Sequence, residues 1–95
     1  MNNERFIWDD DKYDLNFSKH GIKFEEASTV FEDENALYTD DDEHSLHEYR
    51  FKVLGYSKNA RLLLVCHCYR NGDSFIRLIS ARKANKKEQF QYHRR

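Results

Sequence analysis

Arginines inside apolar, strand-like segments are the groups in this 95-residue sequence best suited to chemistry on a phosphate. Arg77 and Arg82 stand at the two ends of the apolar segment 77–82. An arginine within a strand must reach water, pair with an acid or meet a phosphate, and its planar guanidinium matches phosphate oxygens. A simpler interpretation, solvated charges on an edge strand, stays open for both residues.

A second candidate pair is Glu48 and Arg50, which lie two residues apart in an alternating segment. On a strand both side chains would point to the same face. They could form an exposed ion pair of little energetic value. Alternatively, Arg50 faces a groove, and Glu48 orients it or takes a proton.

The last segment of the chain adds Lys83, Lys86 and Lys87, which could bind a nucleic-acid backbone without sequence preference. The same lysines could equally form a solvated helix face. Tyr92 and His93 are the groups near them that could stack on a base or move a proton.

The charges are distributed unevenly along the chain, although the net charge is only −1. Residues 1–48 hold 15 acidic and 4 basic side chains, whereas residues 49–95 hold 2 acidic and 12 basic ones. A basic half of this density is typical of proteins that bind a polyanion. The alternative is that the two halves pair with each other in the fold.

Several classes of site are not indicated. The sequence has no glycine-rich phosphate loop and no nucleophile elbow, and its five histidines lack ligand spacing. Cys66 and Cys68 have no second ligand pair, so we interpret them as small, reduced strand residues. We therefore expect no metal and no cofactor.

The same composition bears on class and location. Seven Phe, six Tyr and one Trp argue against disorder. The longest apolar run, residues 62–66, is far shorter than a membrane span, and the first residues lack an apolar signal region. We expect a cytoplasmic protein that forms a single domain over residues 1–95.

The hydrophobic pattern predicts the elements that must position these groups. Helices are expected over residues 11–20, 24–31 and 83–93, and strands over residues 36–39, 47–56, 61–69 and 75–81. Gly21 is expected to end the first helix, and Asn71-Gly72 to form a hairpin turn. Residues 6–8 could be a strand or an anchor. This order predicts an α+β fold with two N-terminal helices, a three- to four-stranded antiparallel sheet and a C-terminal helix.

A series of short blocks resembles the BrnT family of toxins. Its members run in order over nearly the whole chain: Phe6-x-Trp8-Asp9, Asn16-x-x-Lys19-His20-Gly21, Phe24-Glu25-Glu26-Ala27, Phe31-x-Asp33, Glu48-x-Arg50, Gly55-x-Ser57, Arg61-x-Leu63-x-Val65, Arg77-x-Ile79-Ser80-Ala81-Arg82 and Glu88-x-x-x-Tyr92. No single block is specific, but the series together is.

The resemblance implies a RelE-like fold and a type II toxin that cleaves RNA without a metal and slows translation. It also implies a BrnA-like antitoxin with a DNA-binding domain, which occludes the toxin in a higher-order complex. That complex would repress its own operon, so the toxin would meet operator DNA only through the antitoxin. A non-catalytic module that binds RNA or a protein is the alternative.

The matched blocks and the basic segments together supply the candidate site. Arg50, Arg77 and Arg82 are expected to stabilise charge on the phosphate, and Glu48 to act as base or orienting group. His20 and Tyr92 are the acid candidates. Lys19, Arg61, Lys83, Lys86 and Lys87 are expected to contact the RNA.

Overall fold

A five-stranded sheet with helices packed against it forms the centre of the molecule. The computed structural model describes residues 5–94. Its elements are β1 (Phe6–Ile7), α1 (Asp10–His20), α2 (Phe24–Ser28), β2 (Leu37–Asp40), β3 (Phe51–Tyr56), β4 (Leu62–Arg70), β5 (Phe75–Lys83) and α3 (Lys86–Arg94), with 3₁₀ turns at Thr29–Glu32 and Asp42–His44.

The strand order is β1-β5-β4-β3-β2. Strands β2 to β5 form the expected antiparallel meander, which confirms the α+β class. The expected strand count was too low, because β1 adds a fifth strand that runs parallel to β5. Two residues are too few for an alternating pattern, and their partners Ile76 and Arg77 lie about seventy positions along the chain.

Local hydrogen bonds set the helix ends. The Asp9 carboxylate accepts from the Lys12 N–H at 3.1 Å, and Gly21 ends α1 with a φ of 70°. Helix α3 begins later than expected because β5 extends to Lys83. Its first turn is a capping box, in which Asn85 Oδ1 accepts from the Glu88 N–H at 2.8 Å and Glu88 Oε1 accepts from the Asn85 N–H at 2.9 Å.

Asn16 fixes α1 against the sheet. Its buried side-chain amide accepts from the Ala81 N–H at 2.9 Å and donates to the Ala81 carbonyl at 3.0 Å. It also donates to the Ile22 carbonyl at 3.0 Å. Asn16 therefore satisfies the backbone of β5 where β1 no longer pairs with it, because buried peptide groups are costly to leave unpaired.

The two faces of the sheet differ. The core face packs on α1 and α2 and forms the main apolar core: Ile22, Phe24, Ala27, Val30, Val53, Leu63, Val65, Ile76, Leu78 and Ala81. The opposite face, here called the outer face, carries Lys52, Cys66, Cys68 and Arg77 by strand alternation. Helix α3 covers only part of the outer face, where Ala84 and Tyr92 pack with Leu54. The rest of that face is left for polar groups.

His67 is a polar residue inside the main core. Its side chain is fully buried, and its ring contacts those of Phe31, Tyr38, Phe51 and Tyr69. Nδ1 donates to the Val65 carbonyl at 3.3 Å, and Nε2 has no hydrogen-bond partner among residues 5–94. Burial lowers the pKa of His67 from 6.5 to about 4, so the folded protein holds a neutral imidazole.

No helix within residues 5–94 is long and apolar enough to cross a bilayer. The cytoplasmic location stays a prediction.

The depressed pKa of His67 predicts a loss of stability in mild acid. Below pH 6.5 the unfolded chain protonates this imidazole, whereas the folded chain keeps it neutral to about pH 4. The contribution is complete above the unfolded pKa and declines as the pH falls. Between about pH 7.5 and about pH 5, the free energy of unfolding in urea should fall by about 2 kcal/mol more in the wild type than in His67→Phe. Equal falls in the two proteins would contradict this assignment.

Candidate active site

Glu48 is the centre of an ionic cluster at one end of the outer face. Arg70 Nη1 lies 2.8 Å from Glu48 Oε1, and Arg50 Nε lies 3.2 Å from Glu48 Oε2. The hydrogen bond from Arg70 lowers the pKa of the Glu48 carboxyl, and Arg50 lowers it further. Glu48 is therefore a carboxylate at neutral pH, and it holds two guanidinium groups side by side.

Arg77 belongs to the same cluster. Arg77 on β5 pairs with Cys68 on the neighbouring strand β4, and Arg70 is two residues beyond Cys68 on the same face. Cys68 is buried, which raises the pKa of its thiol, and the charges of Glu48, Arg70, Arg77 and Arg50 all act on it. We call Glu48, Arg50, Arg70 and Arg77 the arginine cluster. It carries three positive charges and one negative charge.

Arg77 is the member of the arginine cluster with the freest guanidinium. Arg50 and Arg70 both bind Glu48, whereas Arg77 forms no ion pair within the described part of the chain. Its side chain is half-buried. A surplus of positive charge with an unpaired planar fork is suited to the oxygens of a phosphate.

Glu48 and Arg50 pair as the sequence predicted, but they do so from a loop. Strand β3 begins at Phe51 rather than at residue 47. Residues 41–50 form a loop closed by a bond from the Asp41 N–H to the Arg50 carbonyl at 2.8 Å. The ion pair is therefore confirmed, and the role of Glu48 in orienting Arg50 or taking a proton stays a prediction.

Arg82 lies on the outer face too, but its guanidinium is engaged. Nη1 and Nη2 donate to the two carboxylate oxygens of Glu88 at 2.8 and 2.9 Å. This fork joins β5 to the first turn of α3, and the hydrogen bond from Arg82 lowers the pKa of Glu88. The structure thus gives Arg82 a role in holding α3.

Arg61 and Tyr92 lie away from the arginine cluster. Arg61 precedes β4, at the opposite end of that strand from Arg70, and its guanidinium binds the buried carboxylate of Glu26 through two nitrogens. Tyr92 is a buried residue of α3, and its hydroxyl donates to Asp33 Oδ2 at 2.6 Å. The structure does not bring either residue together with Glu48.

His20 and Lys19 border a shallow groove along β5. Asn16 and the β5 residues Ile79 and Ser80 also line it. Ser80 is three positions along the strand from Arg77, so this groove follows the same strand as the arginine cluster. The side chains of Lys83, Lys86 and Lys87 are exposed around the start of α3.

Arg70 was not among the site residues predicted from the sequence. A signal was present, because Arg70 has the same strand parity as Cys66 and Cys68 and ends β4 immediately before the predicted Asn71-Gly72 turn. That turn is confirmed by positive φ values of 53° at Asn71 and 64° at Gly72. A hairpin returns the chain alongside itself, so Arg70 and Arg77 must share one end of the sheet.

One group of potential metal ligands occurs among residues 5–94. Ligand atoms of Asp41, Glu43 and His44 lie within 4.8 Å of one another. Two of these residues already bind each other, because His44 Nδ1 lies 3.0 and 3.1 Å from the two Asp41 oxygens. The group therefore does not present three open ligand atoms.

Comparisons with known proteins agree with this fold. The family described as the ribonuclease toxin BrnT of type II toxin–antitoxin systems matches residues 8–88, and the chain belongs to this family. The crystal structure of the Brucella abortus ribonuclease toxin BrnT is similar, with a TM-score of 0.62 and 24% identity over 85% of this chain and 96% of that chain. A search of curated proteins gave no match. The predicted family is confirmed, and it implies an RNA substrate and an antitoxin partner.

The contacts of Arg77 and Arg82 predict unequal losses of stability when each arginine is replaced by alanine. Arg82→Ala leaves the largely buried Glu88 carboxylate without its partner and should lower the free energy of unfolding by about 1–3 kcal/mol. Arg77→Ala breaks no ion pair and should change it by about 0.5 kcal/mol or less. Urea denaturation of the two variants measures both. Equal losses would show that Arg77 also supports the fold.

Proposed function

We propose that this chain is a metal-independent endoribonuclease, acting as a single domain, whose active site is the arginine cluster. The observation that supports this proposal is the convergence of Arg50, Arg70 and Arg77 on one uncovered end of the sheet, with Glu48 between them. Membership of a ribonuclease toxin family supplies the substrate class.

RNA carries the nucleophile that such a site needs. The 2′-oxygen attacks the adjacent phosphorus as the 2′-hydroxyl loses its proton, and the bond from phosphorus to the 5′-oxygen breaks. The products are a 2′,3′-cyclic phosphate and a 5′-hydroxyl, which takes up one proton. Negative charge develops on the phosphate oxygens, and positioned cations are effective at that point.

Within this scheme the guanidinium groups bind the phosphate. Arg77 provides the free fork, and Glu48 holds Arg50 and Arg70 in place. The lowered pKa makes Glu48 a weak base, because an efficient proton acceptor has a pKa near the working pH. We therefore assign Glu48 an orienting role.

The other predicted residues are proposed as flanking contacts. His20 and Lys19 would meet RNA along β5, and Lys83, Lys86 and Lys87 would meet it near α3. Arg82, Arg61 and Tyr92 stay candidates whose present partners are Glu88, Glu26 and Asp33.

The test is cleavage of a long end-labelled RNA by the purified chain in the presence of EDTA. The wild type should give fragments that end in 2′,3′-cyclic phosphate. Arg77→Ala should slow cleavage about 10²–10³-fold, because one preorganised cation at the developing charge is lost. Arg77→Lys keeps the positive charge but loses the planar guanidinium group, so its cleavage rate should lie between those of the wild type and Arg77→Ala. Lys58→Ala, at an exposed turn residue, is the matched control and should cleave normally.

Other results would overturn the proposal. Cleavage that EDTA abolishes would contradict metal independence. RNA that is retarded on a gel but stays whole, both free and with translating ribosomes present, would establish the alternative, a non-catalytic binding module.

We further propose that the partner is a BrnA-like antitoxin that carries a DNA-binding domain and covers the arginine cluster. The loop that carries Glu48 exposes two large side chains, Leu46 at 85% and Tyr49 at 81%, beside the surplus positive charge. An acidic or amphipathic segment would suit this combination.

Co-expression with the adjacent open reading frame tests the partner. The two proteins should copurify, and the complex, but not the toxin alone, should bind the operator DNA and repress the operon. Leu46→Asp with Tyr49→Asp should weaken copurification, because two charges would be buried in an apolar contact. A neighbouring protein that neither copurifies nor relieves growth arrest would contradict the assignment.

A further inference from the structure

Asp41 and His44 form a dyad on the loop of residues 41–50. The Asp41 side chain is 4% exposed, whereas the His44 side chain is 61% exposed. His44 Nδ1 donates to the Asp41 carboxylate, with distances of 3.0 and 3.1 Å to its two oxygens. A carboxylate only accepts, so Nδ1 carries the proton and Nε2 is left as an acceptor on the solvent side.

This loop places the dyad beside the arginine cluster. The Ser45 hydroxyl donates to the Asp41 carbonyl at 2.7 Å and accepts from the Arg50 N–H at 2.9 Å. The Cys66 thiol, on the outer face, donates to Asp41 Oδ2 at 3.7 Å. Cys66 is two residues from Cys68, which lies under the arginine cluster. The dyad and the arginine cluster therefore lie on the same face of the sheet, two residues apart along β4.

The buried Asp41 carboxylate fixes the orientation of the His44 ring. A buried carboxylate is costly unless it is hydrogen-bonded, and Asp41 is bonded to an imidazole and a thiol. A buried aspartate that binds Nδ1 of a more exposed histidine fixes the tautomer and direction of that ring, as in the proton-transfer pairs of hydrolases. Exposed histidines without such a role do not need an oriented ring.

We propose that His44 is the catalytic base of the ribonuclease site and that Asp41 is its positioning residue. This inference rests on the proposed function. Nε2 of His44 takes the 2′-hydroxyl proton as the 2′-oxygen bonds to phosphorus. The bond to the 5′-oxygen breaks, and that oxygen takes a proton from water. The proton held on His44 passes to the resulting hydroxide, which restores the neutral imidazole. Arg50, Arg70 and Arg77 hold the phosphate during this step.

The assignment supplies the group that the arginine cluster lacks. Glu48 has one guanidinium group bound to each of its oxygens, and its lowered pKa makes it a weak base. His20 borders the groove along β5. Tyr92 is buried on α3, and its hydroxyl already donates to Asp33. Neutral imidazole is the side chain that accepts protons most readily near neutral pH.

The test compares His44→Ala with His47→Ala, a matched control at an exposed histidine of the same loop. Single-turnover cleavage, with the enzyme in saturating excess over labelled RNA, should be about 10²–10⁴-fold slower in His44→Ala, with little change in the enzyme concentration that gives half the maximal rate. His47→Ala should cleave normally. Added imidazole should restore cleavage by His44→Ala in proportion to its concentration, which a purely structural role would not produce.

Asp41→Asn gives a second readout. It should slow the single-turnover rate through loss of ring orientation, and imidazole should not restore it. Because Asp41 is buried, Asp41→Asn also destabilises the loop. The imidazole result with His44→Ala therefore decides whether His44 acts as the base.

The failures are distinguishable. Wild-type cleavage with an undiminished rate in His44→Ala, or a slow rate that imidazole leaves unchanged, overturns this assignment and leaves the proposed function standing. An unaltered chain that cleaves neither free nor ribosome-bound RNA overturns the proposed function, and this assignment with it.

Discussion

Strand β5 contains one more residue than β4 between the pairs Cys66–Ser80 and His67–Leu78. The extra residue, Ile79, is a bulge that reverses the alternation of everything after it. Without it Arg77 and Arg82, five positions apart, would point to opposite faces of the sheet. With it, Leu78 and Ala81 both enter the core, while Arg77 and Arg82 both lie on the outer face. The site and the attachment of α3 both depend on this register.

The acidic first half and the basic second half of the chain form ion pairs with each other at specific points. Arg61 pairs with Glu26, and Arg70 and Arg50 pair with Glu48, so acids of the first half do neutralise bases of the second. The pairing is incomplete at the arginine cluster, where Arg50 and Arg70 share the carboxylate of Glu48 and Arg77 has no ion pair in the described part of the chain. Pairing between the two halves of the chain is therefore confirmed, and binding of a polyanion stays a prediction. The surplus is concentrated where the sheet is uncovered, and there it can act on an anion.

The sequence predicted what depends on local patterns. The end of α1 at Gly21, the Asn71-Gly72 turn and the three long strands follow from residue type and periodicity. The parallel strand β1 and the bulge at Ile79 do not, because both are set by pairing with distant residues. The resemblance identified the family, since nine ordered blocks carry more information than any single motif.

The site was predicted less completely than the fold. Glu48, Arg50 and Arg77 were each predicted from the sequence as site residues. Their position beside one another became visible only in the fold. Arg82 could not be separated from Arg77 by sequence, because its pairing with Glu88 depends on where α3 begins. Asp41 and His44 were not among the predicted site residues, because the burial of Asp41 cannot be read from the sequence.

The central claim is that the arginine cluster binds the phosphate of RNA. The most direct measurement is an NMR titration of the arginine Nε–Hε signals with an oligonucleotide whose 2′-hydroxyls are methylated, so that it binds without being cleaved. The account predicts saturable shifts at Arg50, Arg70 and Arg77, with Arg61 unchanged because it is held by Glu26. Shifts confined to the lysines near α3, with the three arginines unaffected, would contradict it.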